Sequence, residues 1–587
     1  MKIKHLFGLA VIAAMTASCS SNEDLGTAGP GTGTNEAGVG YATFTINLPS
    51  TNGTRAGGDP IYDQGTSDEY DVNDVTLLIF KKGEATKEGD FTFVEKANLG
   101  NMAPWKAEGS NGITASATIT AQLTGVALTS EGSKSDYYAL AILNNKNSAD
   151  EDKITLPTSS PTSTVTYGSW NAASNADETN LKDNGFYMAN APVFVADGEP
   201  TTLVNIDKVY ATKQKAETNA ATTIHVERGL AKVSIASNAF PSTALKPTGT
   251  KYNEDEVKIT AWNLDVTNKS TFPIHKTAGL KNTNFSTIWS NTASTTGASV
   301  TRFVDGTNPV FKRVYWGVDP NYSDNLTTVA ACKGAFNILE SNATIDGAAD
   351  KPQYCLENTF DIEHMKQGQT TRVVFKATYK PKGFTAGETF YKIGNSTDLW
   401  NETNLIAQIT AKAADVLGVP SSAITVDLDA TENDIKNNAG TKLLVKENVK
   451  NAGTAVNDAQ IADINAKLGL KAAGTDPIVD PIVGIATYKS GESYYIARIK
   501  HFGDLTPWAE GQETYGTNND ANNTKYLGRY GVLRNNWYEL TIGSVSGPGT
   551  PDVPTIKPDE PDDESYKYIS VSVKILSWAK RSSTVDL

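Results

Sequence analysis

The first arginine of the chain, Arg55, stands alone in Thr51-Asn52-Gly53-Thr54-Arg55-Ala56-Gly57-Gly58-Asp59-Pro60. This stretch is too rich in glycine and turn formers to hold regular structure, so an Arg-specific protease would find an accessible bond there and leave Ala56 as a new N-terminus. Two cysteines, Cys332 and Cys355, are close enough in sequence to form a disulfide in an exported chain, or else to stay as two buried thiols. The histidines, His5, His225, His275, His364 and His501, fall at no metal or triad spacing, and no phosphate loop, nucleophile elbow or zinc knuckle occurs. Carboxylates are so plentiful that no pair stands out as a glycosidase couple. The expectation is therefore no enzyme, no metal and no cofactor. Tyr315-Trp316 with Tyr322, and Phe502 with Trp508, could build aromatic platforms for sugars, which makes a surface glycan-binding lipoprotein the alternative reading. A formal charge of -14 and a pI near 5.0 repel phosphate backbones, which argues against nucleic-acid binding.

The N-terminus sets the compartment. Lys2, Lys4 and His5 precede a short apolar run from Leu6 to Ala17, and Thr16-Ala17-Ser18 places small residues before Cys19, as a signal peptidase requires. The run is too short to span a bilayer. Small residues followed by cysteine resemble the lipobox of bacterial lipoproteins, with Thr16 where a leucine is usual. That resemblance implies residues 1–18 as a signal peptide, a diacylglycerol on Cys19, and a precursor that meets the outer membrane only through its lipid.

The elements that must position these residues read as mainly β, and the length suggests two domains. In Tyr41-Ala42-Thr43-Phe44-Thr45-Ile46-Asn47-Leu48 the residues Ala42, Phe44, Ile46 and Leu48 share one face, the period of a half-buried strand. Apolar strands from Val75 to Phe80 and Tyr137 to Leu143 suit the core of a first sandwich over 56–227. Alternating strands from Leu230, through Thr371 to Tyr379, to Trp537–Ile542 suit a second over 228–545. Leu405, Ile406, Ile409, Ala413, Val416 and Leu417, then Ile461, Ile464 and Leu468, recur at helical spacing and predict two helices inserted on that second sandwich. Five prolines from Pro548 to Pro561 predict a stiff, reaching linker over 546–565. A last strand in 566–587 follows, with Ile569, Val571, Val573 and Ile575 on one face.

A first strand that can be cut away within a propeptide of 19–55, and a last strand held on a spacer, are the two halves of a strand-exchange device. Losing the first would leave backbone groups unpaired and an apolar groove open, which a supplied strand repairs. Four stretches carry a family resemblance: Val226-Glu227-Arg228-Gly229-Leu230-Ala231-Lys232-Val233, Tyr354-Cys355-Leu356-Glu357-Asn358-Thr359-Phe360-Asp361, Ala497-Arg498-Ile499-Lys500-His501-Phe502-Gly503-Asp504 and Tyr530-Gly531-Val532-Leu533-Arg534-Asn535-Asn536-Trp537-Tyr538. They resemble the Mfa-type fimbrial subunits, the type V pilins or fimbrillins of Bacteroidia. The resemblance implies two transthyretin-like β-sandwich domains, cleavage after Arg55 by a gingipain-like protease, and donation of the C-terminal strand to an identical neighbour. It further implies an extracellular stalk subunit supporting adhesion and biofilm formation. Its partners would be anchor and tip subunits, an Arg-specific protease, and host or bacterial surface receptors; an accessory or tip adhesin is the variant of this reading.

Overall fold

The computed structural model describes residues 39–48, 67–99, 116–158, 164–173, 177–193, 200–236, 244–277, 303, 313–322, 325–475, 480–501, 527–558, 560–562 and 569–577. The chain is mainly β, as its composition predicts. The N-terminal part is built from β1 (Gly40–Asn47), β2 (Val75–Lys81), β3 (Thr92–Asn98), β4 (Ser116–Leu123), β5 (Tyr137–Leu143), β6 (Met188–Asn190) and β7 (Thr222–Arg228). Their order across the sheet is β3-β2-β5-β6-β7-β1-β4. Strand β7 joins two faces, pairing with β1 through Thr222 to His225 and with β6 through Val226 to Arg228. The sheet thereby closes over itself, and one cluster gathers Phe44, Ile46, Ile224, Leu77, Ile79, Ala139 and Ala141. Leu78, Phe80, Leu140 and Ile142, on the other face of β2 and β5, fill a second cluster with Leu230, Leu356 and Trp537. Burial on both faces explains why these two strands read as continuous apolar runs while β1 alternates.

The C-terminal part begins one residue after β7, with β8 (Leu230–Ile235), followed by β9 (Glu256–Asp265), β10 (Gln353–Leu356), β11 (Arg372–Lys380), β12 (Phe390–Ile393), β13 (Ile485–Tyr488), β14 (Glu492–Arg498), β15 (Asn536–Val545) and β16 (Ile569–Ser577). Two sheets, ordered β10-β8-β15-β16 and β9-β11-β14, bury Val233, Phe375, Tyr379, Tyr495, Tyr538 and Leu540 between them. The predicted helices are α1 (Glu402–Leu417) and α2 (Asp458–Lys467). Each starts on an asparagine cap, Asn401 and Asn457, and α1 ends at Gly418 with φ 64°. Leu405, Ile409, Ala413, Ile461 and Ile464 enclose a core of their own with Tyr391 and Ile485. The helices thus make a small packed unit inserted between β12 and β13.

A chain of buried ions fastens the N-terminal part to the C-terminal part. Glu69 accepts from Lys232 at 2.8 Å, and both side chains are almost wholly buried. Lys232 lies 3.7 Å from the centre of the Trp537 ring, and Tyr354 donates its hydroxyl to Glu69. Arg228 donates to the Glu69 carbonyl at 2.8 Å. A second group continues the chain: Glu227 holds His275 at 3.1 Å and Arg313 at 3.4 Å, and Arg534 pairs with Glu357. Burial acts to raise the Glu357 pKa, but Arg534, His275 and Arg313 outweigh it and hold the carboxylate below its usual value. Removing one partner from such a pair strands the other without water. Lys232→Met is therefore expected to lower unfolding free energy by about 3 to 5 kcal/mol. Adding Glu69→Leu should recover most of that loss, as read from denaturant midpoints in a double-mutant cycle. A single-variant loss below about 1 kcal/mol, the ceiling for an exposed pair, would contradict this role.

Candidate functional site

Strand β1 is not at an edge. It runs antiparallel to β4 over its whole length, from Gly40 opposite Leu123 to Asn47 opposite Ser116. It also runs parallel to β7, from Phe44 opposite Thr222 to Asn47 opposite His225. Tyr41 and Tyr210 exchange backbone hydrogen bonds at 2.7 and 2.8 Å. Inward, Ala42, Phe44, Ile46 and Leu48 are 0–2 % exposed, so the alternation in the sequence locates the buried face correctly. Outward, the hydroxyls of Thr43 and Thr120 lie 2.8 Å apart, and those of Thr45 and Thr118 lie 3.0 Å apart. Taking β1 away would leave a slot with unpaired backbone on two sides and an apolar floor. Among the described residues, strand β4 would then have no ladder partner. Its far end is tied separately, because Glu95 of β3 accepts from the amides of Thr124 and Gly125, both at 2.9 Å, and from the Thr124 hydroxyl at 2.7 Å. Sequence reading had no means of pairing β4 with β1, although Ala117, Ala121 and Leu123 alternate with polar residues.

The end of the chain differs from expectation. The proline-rich stretch is laid against its own domain as far as Asp562 instead of reaching outward. Thr550 exchanges backbone hydrogen bonds with Tyr494 at 2.9 Å, Val553 donates to Ser341, and Asp562 donates to Met365. Buried Val553 and Ile556 anchor it in two apolar clusters. Arg372, held by Asp265 at 2.7 Å, donates to the Pro554 carbonyl. Prolines lack an amide donor, but their carbonyls still seek one, and here the buried guanidinium supplies it. The last strand does not hang free either. Strand β16, which contains Ile569, Val571, Val573 and Ile575, pairs antiparallel with β15, from Val545 opposite Ile569 to Asn536 opposite Ser577. Among the described residues it forms one edge of its sheet and has a ladder on one side only.

The remaining candidates divide. Cys19, Arg55 and Ala56 lie outside the described residues, as do Phe502 and Trp508. Cys332 and Cys355 are buried in different apolar clusters and form no disulfide with each other, which leaves the alternative of two buried thiols. Trp316 is fully buried against Phe303 and Phe360, and Tyr322 donates to the Gln369 carbonyl at 2.6 Å, so this group of rings is core, not a sugar platform. His275, His364 and His501 pair with Glu227, Asp361 and Tyr538, respectively.

Residues 486–584 match the family model Fimbrillin_C, described as "Major fimbrial subunit protein type IV, Fimbrillin, C-terminal". That span runs from β13 to beyond β16 and contains the clamped proline stretch. Among curated proteins none matches the sequence. Solved structures with some likeness include a candidate cell adhesion protein of Parabacteroides distasonis (TM-score 0.36, 10% identity, 92% of this chain and 98% of that one). A fimbrial assembly protein of the same species gives TM-score 0.26 and 12% identity, over 61% of this chain and 93% of that one. The tip fimbrial protein Mfa3 of Porphyromonas gingivalis, truncated at its C-terminus, gives 0.25 and 10%, over 92% and 100%. Scores this low leave the three as likenesses that support no conclusion about this chain. Residues 486–584 are thus similar to the C-terminal region of a fimbrillin, a major fimbrial subunit.

Proposed function

We propose that this chain is a stalk subunit of a cell-surface fimbria, exported as a lipoprotein on Cys19, trimmed after Arg55, and polymerised when the C-terminal strand of one copy replaces β1 of the next. Its role on this reading is structural and adhesive, not catalytic. The observation that carries it is the seat of β1. A strand between two others, with Phe44 and Ile46 fully buried, is linked covalently to the strands that follow it through the stretch that contains Arg55.

Energetics favour the exchange. Burying each of Ile569, Val571, Val573 and Ile575 could contribute roughly 1.5 to 3 kcal/mol before ordering costs. On β15 the tail has a ladder on one side, whereas in the slot it would have one on each. Each added hydrogen bond is worth about 0.5 to 1.5 kcal/mol net. Cleavage makes the step directional, because the covalent competitor for the slot is gone. The partners are identical copies along the stalk, anchor and tip subunits at its ends, and the Arg-specific protease.

Arg55→Ala is expected to leave an untrimmed precursor and no fibres by electron microscopy, while N-terminal sequencing of wild-type surface material should begin at Ala56. Deleting 566–587 should give trimmed monomers only, and normal filaments from either variant would refute the corresponding step. Phe44→Ala should cost the precursor about 3 to 5 kcal/mol. The trimmed subunit should melt as wild type, since the altered residue leaves with the propeptide; a lasting difference after trimming would mean that β1 stays.

A further inference from the structure

The strand that fills the slot and the strand at the end of the chain are written alike. Tyr41-Ala42-Thr43-Phe44-Thr45-Ile46-Asn47-Leu48 and Tyr568-Ile569-Ser570-Val571-Ser572-Val573-Lys574-Ile575 align without a gap. Tyrosine meets tyrosine, each alternate inward position meets an apolar residue, and serine meets threonine at both hydroxyl positions. On the strand-exchange reading above, we propose that the tail of a second copy enters in the direction of β1 and in this register. Ser570 takes the place of Thr43 opposite Thr120, and Ser572 that of Thr45 opposite Thr118.

The alternatives fail one at a time. A slip of one residue turns every side chain over and sends Lys574 into the buried row of Ala42, Phe44, Ile46 and Leu48, at the position of Leu48 in one sense and of Ile46 in the other. A slip of two keeps the faces but is no better. In one sense Lys567 falls at the position of Ala42, and in the other Ser577 falls at that of Leu48 while Lys574 faces Thr118. Reversing the strand with both serines still opposite the threonines puts Lys567 at the position of Leu48, where an unpaired charge would be buried. Only the direct alignment sets Ile569, Val571, Val573 and Ile575 on the apolar floor and returns a hydroxyl to each threonine. Thr118 and Thr120 thus act as positioning residues that read the register of the incoming strand. The strand bearing them is held at its far end by Glu95, a tie that does not involve β1.

Cysteine pairs in the full-length chain test this. After trimming removes Cys19, the two remaining native thiols are buried. Oxidised fibres of Thr120→Cys/Ser570→Cys and of Thr118→Cys/Ser572→Cys should run as covalent multimers in non-reducing gels. The crossed pairs, Thr118→Cys/Ser570→Cys and Thr120→Cys/Ser572→Cys, should not. Linking by the crossed pairs in place of the direct ones overturns the register and direction but leaves strand donation standing. Fibres that persist without residues 566–587 would instead refute donation itself. Should the cysteine variants fail to assemble, Ser570→Thr/Ser572→Thr restores the threonine pairs seen in the precursor. It should slow heat-driven subunit release several-fold; release as fast as wild type overturns the assignment.

Discussion

A strand inside a sheet carries hydrogen-bonding groups on both edges, and each of them must find a partner or remain in water. In this chain that constraint falls on Gly40–Asn47, which is paired on one side with Ser116–Leu123 and on the other with Thr222–His225. An edge strand could leave with a modest local loss. An interior one cannot, because its departure divides the sheet and opens the core cluster of Phe44, Ile46, Leu77 and Ile79 along its length. The vacancy is therefore specific: it fits an extended segment with apolar residues at alternate positions and backbone groups free on both edges. Everything proposed about assembly follows from the shape and chemistry of that vacancy.

On the proposed strand exchange, a second constraint is that the rest of the chain would have to hold together when the strand leaves. The buried ions at the junction answer it. Glu227, Arg228 and Lys232 lie in one of the stretches that resemble the fimbrillins, Tyr354 and Glu357 in another, and Arg534, Asn535 and Trp537 in a third. In the fold these stretches converge on Glu69, His275 and Arg313. Their resemblance to the family is thereby given a physical basis: buried charges tolerate little change, since each must keep its partner. Because β7 and β8 are separated by a single residue, Gly229, the junction also couples the strand beside the slot directly to the C-terminal sheets.

Periodicity made the local elements legible. Alternation at Ala42, Phe44, Ile46 and Leu48 located a strand and its buried face, and helical spacing from Leu405 and from Ile461 located two helices with their inward residues. Partners were not legible, because strand pairing is a long-range fact. Nothing in Ser116–Leu123 says that it lies beside β1, and Thr118 and Thr120 acquire meaning only from that adjacency. The proline-rich stretch misled for a related reason. Composition describes how such a segment behaves in solvent, while Val553, Ile556 and the Arg372 bond to Pro554 fix it on a surface the composition does not reveal. Cys332 and Cys355 are near in sequence, yet the fold carries them into separate clusters.

The clamp on the proline stretch has a mechanical side. From Asp562, the last described residue of that stretch, to Ile569 the chain makes seven steps, which can extend to roughly 25 Å at most. On the proposed assembly, a donated strand would therefore operate on a short leash, and the recipient subunit would have to sit nearly in contact with the donor. A filament joined in this way would have little slack. Tension along it would pass through the Arg372 and Asp265 pair and the backbone bonds around Tyr494 before it reached the exchanged strand, so the grip of each subunit on its own tail would help set the load that the fibre withstands.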